Sequence, residues 1–203
     1  MPVLSIIAGP NGAGKSTHSK ELLTDLEIEA FDFDKEFYSI WSQFDFDPSI
    51  EQGAFDRAQK LYTDRRTSAL EQKQNFAFET NFHTKQVFSV TETFRSNGYK
   101  IELIFICLES SNTAIVRVKD RVVKGGHSVD EITIRERFNN GLKLLDESFL
   151  QFDIVSIYVS KPKNIEAALI LEPNRNKVTI FAPIPIALTS QLPKITQFVI
   201  SYS

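Results

Sequence analysis

Short runs of apolar residues alternate along much of the chain with segments whose apolar positions recur at helical spacing. The runs lie at residues 3–8, 28–34, 76–78, 101–107 and 154–159. Runs of this length, bounded by turn residues, are typical of strands in the interior of a parallel sheet. Because helical segments separate them, the pattern predicts an α/β fold with a mostly parallel, five-stranded central sheet and helices on both faces.

Capping signals predict where two of the helices begin. Asp47 precedes Pro48, a residue favoured at the first position of a helix, so a long helix is expected to start there. Ser128 and Glu131 have the spacing of a capping box and predict the start of a second helix.

The rhythm changes after Lys161. Two apolar runs, 167–171 and 178–181, flank the turn-forming segment 172–176, and this arrangement predicts a β-hairpin. Apolar residues between 195 and 202 then recur at helical spacing. We therefore expect a C-terminal hairpin and helix that pack on the same domain.

The composition excludes several classes of protein. The 203 residues suffice for one domain with a sizeable core, and the single cysteine, Cys107, excludes an intramolecular disulfide and a cysteine-rich zinc site. The net charge of −3 argues against nucleic acid as a partner. No apolar run approaches the length of about 18 residues that a membrane span requires, so no membrane partner is expected. The first residues lack the basic start of a signal peptide, which predicts a cytoplasmic location.

The segment at 9–16 has the form GxxxxGK[ST] and lies between an apolar run and an expected helix. In this setting backbone N–H groups cradle phosphates, the lysine reaches the β- and γ-phosphates, and the final hydroxyl binds Mg²⁺. We therefore expect ATP or GTP and Mg²⁺ as cofactors. The residues predicted to bind the nucleotide are Gly9, Pro10, Asn11, Gly12, Ala13, Gly14, Lys15, Ser16 and Thr17, with Lys15 also catalytic.

Nucleotide binding alone does not name the reaction. The Asn-Lys-x-Asp stretch with which GTPases read guanine is absent from the sequence, and 203 residues are too few for a large mechanochemical ATPase. A small phosphotransferase fits the length best. Two alternatives stay open, namely a nucleotide-binding regulatory protein with little turnover and a polynucleotide kinase. The latter ranks last because its channel should be basic.

Carboxylates follow two of the apolar runs, where ligand sites of α/β sheets lie. Strand alternation would place Asp32 and Asp34 on one face, and we choose Asp34 to activate the acceptor because it lies farther out. Glu79 follows the third run and is predicted to hold Mg²⁺ or to hydrogen-bond the acceptor. The residues predicted to bind the acceptor are Asp34, Glu79, Thr80, Asn81 and His83, and those predicted to bind the metal are Ser16 and Glu79.

Cations gather on both sides of the Gly-Gly turn at 125–126. The residues concerned are Arg117, Arg121 and Lys124 on one helical face before the turn, and Arg135 and Arg137 after it. A helix–turn–helix unit with cations on both arms is typical of a lid that closes on phosphates and excludes water. We expect this lid at about residues 110–137.

The net charge conceals an uneven distribution. Residues 27–56 contain nine acidic residues and one base, Lys35, for a net charge of −8, so the remainder carries +5. This partition predicts a cleft with opposed walls, one of cations for nucleotide phosphates and one of carboxylates for a hydroxyl acceptor. The acidic wall would repel a polyanionic acceptor.

Together these motifs resemble those of the zeta-toxin family of P-loop kinases. The matching segments are GPNGAGKST at 9–17, FDFD at 31–34, FET at 78–80, RVxxRVxxGGHxV at 117–129 and RxRF at 135–138. The resemblance implies transfer of phosphate from ATP or GTP to the sugar 3′-hydroxyl of UDP-N-acetylglucosamine, and an antitoxin partner that blocks the nucleotide site. It also implies that Asp34 activates the acceptor and that Arg121 and Arg135 are catalytic lid arginines, with Arg137 as a rival for Arg135.

On this basis the chain divides into two predicted regions. Residues 1–160 are expected to form a P-loop kinase domain that includes the lid. Residues 161–203 are expected to form the C-terminal appendage.

Overall fold

Six strands form one sheet in the structure, which is a computed structural model that describes residues 1–203. The strands are β1 (Val3–Ala8), β2 (Phe76–Thr80), β3 (Lys100–Cys107), β4 (Ile154–Ser160), β5 (Ile165–Glu172) and β6 (Lys177–Ile180). Their order across the sheet is β2-β1-β3-β4-β5-β6. The first four pair in parallel, whereas β5 and β6 are antiparallel. The predicted α/β fold is confirmed, although the sheet has six strands rather than five.

Eight α-helices accompany the sheet. They are α1 (Lys15–Leu22), α2 (Phe33–Trp41), α3 (Glu51–Gln72), α4 (Gln86–Ser96), α5 (Ser111–Val123), α6 (Glu131–Ser148), α7 (Ile186–Thr189) and α8 (Pro193–Tyr202). None of them has the length and apolar character needed to cross a membrane.

Strand β1 lies at the centre of the parallel part of the sheet, between β2 and β3. From Leu4 to Ala8 every residue of β1 is buried, including the hydroxyl-bearing Ser5. The strand belongs to a core of 41 buried apolar residues that also takes in β3 and the inner face of α6. Because the first four strands run in one direction, their carboxyl ends meet at the same edge of the sheet.

The predicted strand at 28–34 is wrong. Within it only Phe31 pairs with the sheet: its N–H donates to the Ala77 carbonyl at 2.8 Å, and its carbonyl accepts from the Glu79 N–H at 2.9 Å. The chain then turns into α2, because the Asp32 carboxylate caps that helix by accepting a hydrogen bond from the Lys35 N–H at 3.0 Å. Asp34 therefore lies in the first turn of α2 and not at a strand tip.

Two predicted helix starts also move. Asp47 accepts a hydrogen bond from the Ser49 N–H within a turn, and α3 begins only at Glu51. At the next start the cap is Asp130, whose carboxylate accepts from the Thr133 N–H at 2.9 Å, rather than Ser128. In both cases an aspartate carboxylate accepts a hydrogen bond from an N–H two or three residues later, and the sequence spacing did not predict that local bond.

The C-terminal hairpin forms as β5 and β6, but it extends the main sheet instead of standing apart. Strand β5 pairs along β4, with Val155 opposite Leu171 and Ser160 opposite Ile165. The division into a domain at 1–160 and an appendage at 161–203 stays a prediction.

Helices α2 and α3 share a small apolar cluster of their own. Ile40, Ala54 and Ala58 are its buried members. Phe37 and Trp41 pack against it, and their rings stack on each other with 5.5 Å between centroids. We call residues 27–56 the acidic unit. The Phe31 bridge joins this unit to the sheet, and the cluster joins α2 to α3.

The attachment of α8 depends on a buried carboxylate. Asp146 of α6 is 5% exposed and accepts hydrogen bonds from the N–H groups of Lys194 and Ile195, at 3.2 and 2.9 Å. It supplies the cap that Leu192, the residue before α8, cannot provide.

We expect Asp146→Ala to lower the free energy of unfolding by about 1–3 kcal/mol, because two N–H groups lose their partner. The measurement is chemical denaturation monitored by circular dichroism. Glu147→Ala, at the exposed neighbouring position, is the matched control and should stay within about 0.5 kcal/mol of the wild type. Equal stability of the two variants would contradict the capping role.

Candidate active site

The loop between β1 and α1 is shaped to receive an anion. Gly14 has φ +93°, a left-handed conformation that favours glycine, and it leaves the first N–H groups of α1 without a side-chain cap. A Cβ at Gly9 would collide with the Ile106 carbonyl of the neighbouring strand β3. The residues of this loop therefore fit phosphate groups at the start of a helix.

Lys15 folds back over this loop. Its Nζ donates to the carbonyls of Gly9 and Pro10, at 2.8 and 3.3 Å, and to Asn81 Oδ1 at 3.0 Å. Burial lowers the pKa of Lys15 to about 8, although the carboxylates of Glu79 and Asp32 oppose the change. Three neutral oxygens hold the ammonium group, so phosphate oxygens would be stronger partners for its charge.

Ser16 faces two carboxylates at once. Its Oγ lies 2.7 Å from Asp32 Oδ2 and 2.7 Å from Glu79 Oε2. A hydroxyl has one hydrogen and can donate to only one of them at a time. Burial, together with the charge of Asp32, raises the pKa of Glu79. A hydroxyl and two carboxylates offer only oxygen ligands, the set that Mg²⁺ prefers, so these residues fit the expected metal.

The contact between Asp32 and Ser16 was not predicted from the sequence. The FDFD motif offered two candidates, and the expected strand led to the choice of Asp34 as the one farther out. The signal that could have separated them is the N-cap preference for aspartate just before a helix. Asp34 is exposed, yet its charge helps to raise the pKa of Tyr38 and opposes the lowering of the pKa of Lys15 and His127, so it lies near these groups.

The predicted lid corresponds to α5, the loop at 124–130 and the start of α6. Arg121 Nη2 donates to His127 Nε2 and to the His127 carbonyl, both at 3.1 Å, while its buried Nε has no partner. The charge of Arg121 also lowers the pKa of Lys15, which places the guanidinium near the phosphate loop. An unpartnered donor at this position fits an anionic ligand.

The two candidate arginines of α6 differ in what they contact. Arg137 Nη1 lies 3.4 Å from Asn11 Oδ1 in the phosphate loop. Arg135 Nη1 instead donates to Ser111 Oγ, at the start of α5, at 3.1 Å. The structure thus brings Arg121 and Arg137 to the loop and leaves Arg135 farther along the lid.

Arg117 is held by three hydrogen bonds within the protein. It donates to the Gly12 carbonyl at 3.2 Å, to Ser160 Oγ at 2.6 Å and to the Lys161 carbonyl at 2.9 Å. These bonds tie the phosphate loop to the end of β4. Arg117 is therefore a positioning residue and not a free ligand for phosphate.

The remaining predicted acceptor residues surround the end of β2. Thr80 Oγ1 accepts from the Phe82 N–H at 3.0 Å, which shapes the turn, and Asn81 is the partner of Lys15 described above. His83 is half-buried, and its pKa is lowered by burial and by the charge of Arg137. The structure brings Glu79, Asn81 and His83 to the same edge as the phosphate loop.

A parallel sheet whose first strand runs through such a loop into a helix is typical of P-loop nucleotide-binding proteins. A structure from the PezAT chromosomal toxin–antitoxin system of Streptococcus pneumoniae has a TM-score of 0.61 at 15% identity, over 98% of this chain and 88% of that one. A protein of Chloroflexus aurantiacus described as a kinase has a TM-score of 0.55 at 19% identity, over 68% and 76%. The AvrRxo1-ORF1:-ORF2 complex with ATP has a TM-score of 0.58 at 10% identity, over 89% and 61%. At these identities the likeness shows the fold alone.

The family follows from the sequence itself. Residues 46–177 match the zeta toxin family model, and the chain belongs to this family. The match begins after the phosphate loop and the FDFD motif, so it rests on the acidic unit's end, the lid and the strands β2 to β5. A search of curated proteins finds no match. The resemblance predicted from the motifs is confirmed.

The depressed pKa of Lys15 predicts that nucleotide binding takes up a proton. In the protein without nucleotide, Lys15 is largely neutral above pH 8. Phosphate oxygens would raise its pKa again, because they favour the charged form. Proton uptake should therefore be small at pH 7 and approach one per site near pH 9. Calorimetric titration of ATP in buffers of different ionisation enthalpy measures it. Lys15→Arg should abolish the uptake, because arginine stays charged, and Lys20→Ala should leave it unchanged. Uptake independent of pH would contradict the assignment.

Proposed function

We propose that this protein transfers the γ-phosphoryl group of ATP or GTP to a hydroxyl group of a small acceptor. Membership of the zeta toxin family and the P-loop kinase fold support a nucleotide-dependent kinase in general. The observation that carries the proposal is the convergence at one sheet edge of Lys15, Ser16 and the two carboxylates Asp32 and Glu79. Phosphoryl transfer needs these groups: a cation, a metal site and a carboxylate near the acceptor.

On binding nucleotide, Lys15 would leave the carbonyls of Gly9 and Pro10 and contact the β- and γ-phosphates. The N–H groups at the start of α1 would hold the same phosphates. Arg121, whose Nε is free, would meet charge on the transferring group, and Arg135 would do so only if the lid moves. Arg137 is the better placed of the two α6 arginines because it already reaches Asn11.

Ser16 and Glu79 would hold Mg²⁺, with Asp32 as an additional oxygen donor. The ion would supply positive charge to the phosphate oxygens. The Phe31 bridge to β2 keeps Asp32 and Glu79 side by side, since the N–H of Glu79 itself donates to Phe31. The carboxylates are therefore positioned before any ligand binds.

Asp34 would accept the proton of the acceptor hydroxyl. It lies in the first turn of α2, exposed, and its charge opposes the burial that lowers the pKa of Lys15 and of His127, which supports a position near both groups. Glu79, Thr80, Asn81 and His83 would contact the acceptor from the β2 side. The family membership makes a nucleotide sugar such as UDP-N-acetylglucosamine the first acceptor to test. The charge of the acidic unit disfavours a polynucleotide.

A protein partner also belongs to the proposal. The similar PezAT structure comes from a toxin–antitoxin system. An antitoxin that occupies the nucleotide site would be the corresponding partner of this chain.

Two substitutions test the reaction. Lys15→Ala should reduce the rate of phosphoryl transfer by at least about 100-fold, because electrostatic stabilisation of the transferred group is lost. Asp34→Asn should bind ATP normally but lose a comparable factor as the proton acceptor disappears. Transfer of labelled phosphate to a panel of nucleotide sugars and other small alcohols is the measurement. Lys20→Ala, an exposed lysine of the same helix α1, is the control. Full turnover of Asp34→Asn would refute the role of Asp34 as proton acceptor, and no labelled acceptor with the wild type would refute the kinase.

The metal site has its own test. Glu79→Gln should raise the Mg²⁺ concentration needed for half-maximal transfer by about tenfold or more, because a charged oxygen donor becomes neutral. The exposed Glu71→Gln on α3 is the matched control and should leave the requirement unchanged. An unaltered Mg²⁺ requirement in Glu79→Gln would place the metal elsewhere.

A further inference from the structure

The lid loop meets the acidic unit through a stacked aromatic pair. The rings of Tyr38 and His127 lie 4.3 Å apart between centroids, with 14° between their planes. Tyr38 belongs to α2, and His127 follows the Gly-Gly turn of the lid loop at 124–130. The contact therefore joins the two walls of the cleft, which are remote from each other in the sequence.

Tyr38 lies near charges of both the acidic unit and the lid. It follows Asp34 by four residues and so lies on the same face of α2. Burial and the carboxylates of Asp34 and Glu51 raise the pKa of Tyr38, while the charges of Arg121 and Arg137 oppose the change. The tyrosine ring thus lies where the carboxylates of the acidic unit meet the cations of the lid.

His127 connects this stack to a lid arginine. Its Nε2 and its carbonyl oxygen both accept hydrogen bonds from Arg121 Nη2. Burial and the nearby Arg121 lower the pKa of His127, so the ring is neutral at pH 7 and can accept at Nε2. Gly126 leaves the space that the Arg121 side chain occupies, because a Cβ there would collide with it. Arg121 is held by the residues of the lid loop itself.

We propose that Tyr38 and His127 form a clasp that keeps the lid loop against α2 and thereby holds Arg121 beside the phosphate loop. Both are positioning residues, since they act through Arg121. The purpose of the clasp rests on the proposed kinase function, whereas the contact between loop and helix does not. A stacked aromatic pair of this kind shifts an opening equilibrium by about three- to tenfold.

The test measures how readily the lid loop detaches. Trypsin must bind several extended residues around Lys124, which is exposed but lies in the loop that the clasp anchors. We expect Tyr38→Ala to accelerate cleavage after Lys124 by about three- to tenfold, as followed by mass spectrometry. Tyr38→Phe keeps the ring and should stay within twofold of the wild type. Phe44→Ala, which removes a half-exposed aromatic ring from the same acidic unit, is the matched control.

A second measurement tests the link to Arg121. The dissociation constant of ATP should rise about three- to tenfold in Tyr38→Ala and return to the wild-type value in Tyr38→Phe. If Tyr38→Ala does not fold, His127→Ala removes the same stack from the lid side and should give the same cleavage result.

The outcomes separate the clasp from the reaction. Cleavage of Tyr38→Ala at the wild-type rate would overturn the clasp, as would equal acceleration in Tyr38→Phe. Faster cleavage with unchanged ATP affinity would overturn the link to Arg121. A wild-type protein that phosphorylates no acceptor would defeat the proposed function, while accelerated cleavage in Tyr38→Ala would still support the clasp.

Discussion

The parallel pairing of β1 with strands on both sides is the constraint on which the site depends. Its register sets Ile7 beside Glu79 of β2 and Ala8 beside Phe105 of β3. Because these strands point the same way, the phosphate loop opens directly beside the carboxylate of Glu79. The single bridge at Phe31 adds Asp32 to the same edge. Two hydrogen bonds therefore determine which acidic residue meets Ser16.

Charged side chains gather at this edge of the sheet although the fold alone does not require them. Lys15 and Glu79 lie close together. Burial lowers the pKa of Lys15 and raises the pKa of Glu79, so it favours the neutral form of each group. Such desolvation opposes folding and is only partly compensated by the neighbouring opposite charges. Groups fixed in this way need little rearrangement when a charged ligand arrives. The unpartnered Nε of Arg121 has the same character.

The uneven distribution of charge along the chain corresponds to separate regions of the folded protein. The segment with net charge −8 forms the acidic unit, which has a small aromatic-lined core separate from the main one. The lid arginines lie across from it, and the Tyr38–His127 stack spans the gap. Opposite charges on the two walls favour an approach of lid and acidic unit, and the aromatic contact gives that approach a defined geometry.

Local sequence patterns were sufficient for the phosphate loop, the α/β order of elements and the family, because backbone torsion and burial periodicity depend on residues that are close in the chain. They failed at 28–34, where an aspartate cap outweighed a strand-like run of apolar residues. They also could not choose between Arg135 and Arg137, which lie about 200° apart around a helix. Only the packing of α6 turns Arg137 towards Asn11 and Arg135 towards Ser111. Packing sets the distances between elements, and these distances cannot be read from the spacing of residues within one element.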